Sequence, residues 1–153
     1  MRRRMIPLAA LVLVACNLDV PGNDPAADNP SDPATETFAS NLNINIAEMT
    51  KTSLGDYYKD LKPGTGPALG GPQVVILSYE AFLKTGVEVD QQVNEQLDLS
   101  AVVRGLQDGM LGMQAGGERI VVVPSANAWG AFPQPGIPPN STLVFDVLLK
   151  TIP

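Results

Sequence analysis

The chain has 153 residues, of which 16 are acidic and 10 are basic, so its formal net charge is −6. It contains no histidine and a single cysteine, which excludes a Ser-His-Asp triad, a histidine-bearing zinc site and a disulfide within the chain. An acidic protein repels phosphate backbones, so we expect no nucleic-acid partner.

The first segment has the pattern of an export signal. A basic start, "MRRRM", is followed by ten apolar residues, too few to span a bilayer as a helix. The segment ends in Leu13-Val14-Ala15-Cys16, which resembles the bacterial lipobox, whose cysteine is lipidated and becomes the first mature residue. The resemblance implies a lipoprotein signal over residues 1–16 and a lipid anchor at Cys16. The alternative is a chance cysteine after an ordinary secretory signal.

These signals imply a location in the cell envelope, facing the periplasm or the exterior. The membrane would be reached through acyl chains alone. Removal of the three leading arginines leaves 7 basic against 16 acidic residues and a net charge of −9.

Residues 17–37 are rich in Pro, Asp, Asn and Ala and almost lack large apolar side chains. Such a stretch cannot bury enough surface to offset its ordering entropy, so we predict a disordered tether. Its acidic residues lack the spacing of a calcium-binding EF-hand loop. Residues 38–153 are enough for one domain with a single core.

Strand signals dominate this domain. In chain order, the predicted strands are "NLNINIAEM", "GDYYKDLKPG", "QVVILSY", "GERIVVVP" and "TLVFDVLLKTI". The third is a continuous β-branched run, which favours a central strand or one buried on both faces. In the last strand, residues on one face are all apolar, and Phe145 is on that face.

One helix is predicted between Ser100, as the N-cap, and Met113. Its three glycines each lower helix propensity by about 1 kcal/mol relative to alanine, so it needs tertiary packing. Many strands and one short helix predict an α+β fold, in which an antiparallel sheet wraps on the helix.

Several catalytic motifs are absent or weak. The glycine cluster at residues 64–71 is not followed by Gly-Lys-Ser/Thr or by a helix, so a turn is favoured over a phosphate loop. Glu88 and Asp90 could suggest a glycosidase, but two acids so close on a strand are usually solvated. Neither a metal site nor a cofactor site is predicted.

Rotation of an X-Pro amide needs no nucleophile and no acid or base. Its barrier of about 18–20 kcal/mol is the loss of amide resonance. An apolar, aromatic-lined cup can lower this barrier by binding the twisted amide better than the planar one. Tyr79, Trp129 and Phe145 are side chains suited to such a cup.

Four stretches, in order over about 95 residues, resemble FKBP-type peptidyl-prolyl isomerases. They are "YYKDLKPGTG", "VVILSYEAFLKTGVEVD", "AVVRGLQDGMLGMQAGGERIVVVP" and "NAWGAFPQPGIPPNSTLVFDVLL". The resemblance implies a twisted antiparallel half-barrel around one short helix. It also implies a monomer that isomerises proline-containing polypeptides and helps exported proteins to fold.

The resemblance also implies residue roles. Tyr79, Asp90, Trp129 and Phe145 would be catalytic: Tyr79 on the wall, Asp90 at the rim, Trp129 as a donor at the rim and Phe145 behind the proline ring. Val89, Val102, Val103, Leu106 and Ile137 would bind substrate, with the backbone N–H of Val103 facing a carbonyl.

The chain departs from the family pattern at the cup. Leu106 stands where the family usually has Trp, Val89 where it has Phe, and Trp129 where it has Tyr. The segment from Gln91 to Leu99 is also shorter than usual. A wider, less aromatic cup leaves a second hypothesis, a polypeptide-binding module with weak or no catalysis. Tyr79, Trp129, Phe145 and Asp90 could also be ordinary strand, loop, core and turn residues.

Overall fold

The computed structural model describes residues 32–153. Six strands form one antiparallel sheet in the order β1-β2-β5-β6-β3-β4. The strands are β1 (Thr50–Lys51), β2 (Tyr57–Lys62), β3 (Val74–Leu83), β4 (Glu88–Asp98), β5 (Glu118–Val123) and β6 (Leu143–Thr151). The sheet is open and half-barrel-like, and it packs on one short helix, α1 (Arg104–Met110). The predicted α+β fold is therefore confirmed.

The main core lies between α1 and the inner face of the sheet. Leu106 and Met110 on the helix meet alternate residues of β5 and β6. Gly105 and Gly109 allow a close approach, since a Cβ at Gly109 would lie 2.2 Å from a methyl carbon of Val121. The two glycines inside the helix are therefore required by its packing on the sheet, whereas Gly112 lies beyond the end of the helix.

The C-terminal end of α1 is held by a buried arginine of β5. Arg119 donates hydrogen bonds to the carbonyls of Gly109 and Leu111 at 2.9 and 3.0 Å. Its guanidinium also pairs with Asp60 at 2.6 Å and lies 4.3 Å from the ring centre of Tyr58. These contacts satisfy carbonyls that a helix end leaves without an intrahelical partner.

The predicted helix start at Ser100 is wrong. The carboxylate of Asp98 accepts from the Ser100 N–H at 2.9 Å and from its hydroxyl at 2.7 Å. This caps a 3₁₀ turn at Leu99–Ala101, and the α-helix begins four residues after Ser100. Asp98 thus caps the 3₁₀ turn, whereas the N-cap residue of the α-helix is Val103, which has no side-chain cap.

Residues 41–49, "NLNINIAEM", do not form the predicted strand. This part of the chain makes two 3₁₀ turns, Ser40–Leu42 and Ile46–Glu48, separated by Asn43 in the left-handed region at φ 50°. The alternating apolar side chains still face the protein and cover the outer face of the sheet. They pack against Tyr57, Val122 and Val144; the packing residues are Phe38, Leu42, Ile44, Ile46 and Met49.

The folded region begins earlier than Phe38. Asp32 pairs with Lys51 at 2.8 Å and accepts the Tyr57 hydroxyl at 3.0 Å. Glu36 accepts the Thr142 hydroxyl at 2.7 Å, and Pro33 is buried. Residues 32–37 are therefore part of the folded region, not of the predicted tether, because their few polar side chains bind buried partners. The rest of that tether lies outside the described residues.

Candidate functional site

A cavity of about 300 Å³ opens between the start of α1, strands β3, β4 and β6, and the loop of residues 124–142. All nine side chains that the sequence analysis assigned to a proline-binding cup line it. They are Tyr79, Val89, Asp90, Val102, Val103, Leu106, Trp129, Ile137 and Phe145. Cys16, the remaining predicted site residue, lies outside the described residues.

The inner end of the cavity is apolar. Leu106 and Phe145 are 2% and 6% exposed. Leu106 lies on the sheet-facing side of α1, and Phe145 is on the inward side of β6 together with Leu143 and Val147. The ring of Phe145 meets the ring of Tyr79 edge to face, with 6.1 Å between centroids. Strand alternation and one helical turn therefore place these side chains against the same space.

One hydrogen bond joins the two strands at the rim. The hydroxyl of Tyr79 on β3 donates to Oδ2 of Asp90 on β4 at 2.5 Å. Register shifts in the β3–β4 pairing occur on both sides of this contact, after Leu77 and after Ala81. Burial, and next the hydrogen bond to the Asp90 carboxylate, raise the pKa of Tyr79 above its usual range. Tyr79 therefore remains a neutral donor.

The proline-rich loop forms the opposite side. Gln134 and Ile137 exchange two backbone hydrogen bonds, at 3.0 and 2.9 Å, around Pro135 and Gly136. Gly136 has φ 77°, which suits the third position of a type II turn after proline. This narrow turn presents Ile137 to the cavity. Trp129 also lines it, yet 43% of this residue is exposed, so the indole does not fill the space.

The start of α1 completes the wall. Val103 is the N-cap residue of α1. The residue before it, Val102, has an extended backbone. Among residues 32–153, no acceptor is hydrogen-bonded to the backbone N–H of Val103. A donor at the cavity wall is thus left for a ligand.

Five further residues line the cavity without having been predicted. They are Ala81, Leu97, Ala101, Gln134 and Leu143. The Pro-Gly pair after Gln134 is a sequence signal for the turn that places its side chain opposite Ile137. Ala81 and Leu143 follow from strand alternation, since they share inward faces with Tyr79 and Phe145.

The lining carries one charged side chain, Asp90, and no lysine or arginine. Within the described part of the chain, no group of three or more acidic or thiol side chains is placed to hold a metal ion. The largely apolar lining is suited to binding an apolar group.

Comparison with known proteins identifies the family. Residues 68–150 match the family model for FKBP-type peptidyl-prolyl cis-trans isomerases. The chain is 39% identical over 112 residues to the 46 kDa FK506-binding nuclear protein of Spodoptera frugiperda, covering 69% of this chain and 27% of that protein. It is 34% identical over 121 residues to the FKBP-type isomerase FkpA of Escherichia coli K12, covering 76% of this chain and 43% of that protein.

Solved structures of peptidyl-prolyl isomerases have a similar fold. A peptidyl-prolyl cis-trans isomerase from Pseudomonas syringae superposes with a TM-score of 0.63 at 30% identity, covering 67% of this chain and 79% of that one. FkpA from Escherichia coli gives 0.61 at 33% identity, covering 67% and 50%. The chain spans about a quarter to a half of the length of the curated relatives named here. With its half-barrel sheet and its aromatic cup, the chain belongs to the family of FKBP-type peptidyl-prolyl cis-trans isomerases.

Proposed function

We propose that this chain catalyses cis-trans isomerisation of prolyl peptide bonds. The observation that carries the proposal is the open, apolar cavity of about 300 Å³, with Tyr79 and Asp90 hydrogen-bonded at its rim. A volume at the lower end of the range for ligand pockets suits one small ring.

Each part of the cavity has a role in this reaction. Phe145 and Leu106 contact the proline ring and exclude water from the amide. An amide out of water loses resonance stabilisation more easily, because its planar form is the more polar one. The Val103 N–H and the indole N–H of Trp129 hold the adjoining carbonyls while the C–N bond rotates. No covalent bond is made or broken.

A second function has support in the same cavity. Leu106 and Val89 are aliphatic where the family usually has aromatic side chains, so they would bind the proline ring of a substrate less tightly. This substitution favours a module that binds polypeptide with weak catalysis. Against it, Trp129 leaves the cavity open, which a catalyst requires.

The biological setting of the proposal comes from the N-terminal sequence. Leu13-Val14-Ala15-Cys16 supports lipidation at Cys16 and a location in the cell envelope. The substrates would then be prolyl segments of exported proteins. The protein would act as a monomer and without a cofactor.

Exchange spectroscopy on a panel of Xaa-Pro peptides tests the enzyme directly. Catalytic amounts of the full chain, purified in mild detergent, should speed exchange between the cis and trans resonances. The variant Phe145→Ala should remove most of this acceleration. Peptide binding without faster exchange would instead support the binding module.

A further inference from the structure

The mouth of the cavity carries one unneutralised negative charge. Asp90 is exposed, and Tyr79 is its hydrogen-bond partner. Among residues 32–153 no lysine or arginine lies within 4.0 Å of this carboxylate. A carboxylate has about four lone-pair positions, so Asp90 can accept another donor while it holds the tyrosine.

The surrounding chain reinforces this charge. Strand β4 carries four acids and no base, and no basic residue occurs between Lys84 and Arg104. Lys84 is paired with Glu36 at 3.1 Å. Arg104 lines a different cavity, together with Leu54 and Pro72. Neither basic residue next to this segment is therefore placed to neutralise the mouth.

Aromatic side chains lie on the loop across the cavity. Trp129 is 43% exposed and lines the cavity, and Phe132, three residues later, is 76% exposed. Aromatic faces attract ammonium and guanidinium groups, with tryptophan the strongest. An acidic side and an aromatic side together favour a cation between them.

We propose that this site selects prolyl peptides in which lysine or arginine immediately precedes the proline. The inference rests on the proposed isomerase function and specifies its substrate. When the proline ring occupies the floor at Leu106 and Phe145, the preceding residue remains at the mouth. Its cationic end then reaches the free lone pairs of Asp90, while its methylene stem lies along Trp129.

The test measures kcat/KM for the full chain on peptides that differ in one position, with Lys, Gln or Glu before proline. Exchange spectroscopy is used because it needs no protease of its own specificity. At low ionic strength we expect kcat/KM for the Lys peptide to exceed that for the Gln peptide by about fivefold, because one exposed charge pair forms. The Glu peptide should have the lowest kcat/KM. In about 1 M salt, where the screening length is about 3 Å, the ratio should approach one.

Two variants assign the effect to one carboxylate. Asp90→Asn removes the charge but keeps an acceptor for Tyr79, so the ratio of Lys to Gln should fall to about one, whatever the overall rate. Glu88→Gln makes the same charge change on the same strand but does not line the cavity. It should preserve the ratio.

The outcomes separate this inference from the function on which it rests. Isomerisation at equal rates for Lys, Gln and Glu would overturn the inference alone. The same holds for a preference that appears only when lysine follows the proline, or for equal effects of the two variants. Failure to isomerise any peptide would overturn the proposed function as well.

Discussion

At the scale of single residues, substitutions at Phe145 and Asp90 should separate stability from activity. Phe145 is 6% exposed and packs on Tyr79, so Phe145→Ala should lower the free energy of unfolding by about 3–5 kcal/mol. Asp90 is exposed, so Asp90→Ala should change it by less than about 1 kcal/mol while slowing isomerisation. Urea denaturation and exchange rates, measured on the same preparations, check both. An Asp90→Ala protein with an unchanged rate would show that the rim contact has no part in the reaction.

Asp56 should make the protein less stable as the pH rises. This residue is fully buried beside Asp108, and the Oδ2 atoms of both acids lack a donor within the described chain. Burial has the largest effect and raises the pKa of Asp56. The hydrogen bond from Asn127 lowers this pKa and the nearby charge of Asp108 raises it, so that the net change is a rise. Its contribution to stability is therefore fully present below the pKa of the unfolded chain. It is lost as the pH rises through the folded value.

The variant Asp56→Asn tests this sign, because asparagine stays neutral and can still accept from Asn127. A buried acceptor without a partner costs about 1–3 kcal/mol, so the free energy of unfolding of the variant should be higher by on the order of 1 kcal/mol at pH 7. Its stability should also no longer decline as the pH rises. Asp98 is the matched control. Its hydrogen bonds from Ser100 lower its pKa, so Asp98→Asn should lose stability above the unfolded pKa. Thermal melts across pH 4–8 distinguish the two, and parallel curves for both variants would contradict the assignment.

Among single residues, the inward-facing side chains of the cavity wall were the part of the site that could be predicted. Tyr79 and Phe145 could be placed because strand alternation decides which side chains face inward. Gln134 was missed because its position depends on a turn. The hydrogen bond between Tyr79 and Asp90 depends on the pairing of β3 with β4, and β4 was not predicted.

At the scale of elements, the prediction worked where strands are half-buried and failed at the margins of the sheet. β4 was not predicted because nearly all of its residues are exposed at the sheet edge. The "NLNINIAEM" segment has apolar residues at every second position, a pattern that predicts a strand. Yet it reflects side chains reaching the outer face from two 3₁₀ turns, with no ladder to a neighbouring strand.

The N-terminal segment should contribute measurable stability, although its composition suggested a tether. Removal of residues 32–37 leaves the hydroxyls of Tyr57 and Thr142 without their carboxylate partners. Both residues are buried, so a chain that begins at Phe38 should lose about 2 kcal/mol relative to one that begins at Asp32. Chemical denaturation of the two chains measures this difference. Equal denaturation midpoints would mean that water satisfies both hydroxyls as well as the carboxylates do.

At the scale of the whole molecule, the proposed lipid anchor at Cys16 lies in the segment outside the described residues. Within residues 32–153 no helix has the length and apolar character needed to cross a bilayer. The described part of the chain carries an excess of acidic residues, so an anionic membrane surface does not attract it. Under the lipoprotein hypothesis, the protein would be attached by acyl chains at Cys16, and stable anchoring would need more than one chain.

Replacement of this cysteine should detach the protein without affecting its catalysis. In a bacterial host, Cys16→Ser should abolish incorporation of a labelled fatty acid and move the protein from the membrane fraction to the soluble fraction or to an uncleaved precursor. Asp90→Ala, a change in the cup with no bearing on lipidation, should keep the label and serves as the control. The folded region of the Cys16→Ser protein should isomerise peptides at the wild-type rate, because all the cavity residues lie beyond position 78. Undiminished label in Cys16→Ser would eliminate the lipoprotein hypothesis and leave an ordinary secretory signal as the explanation of the first sixteen residues.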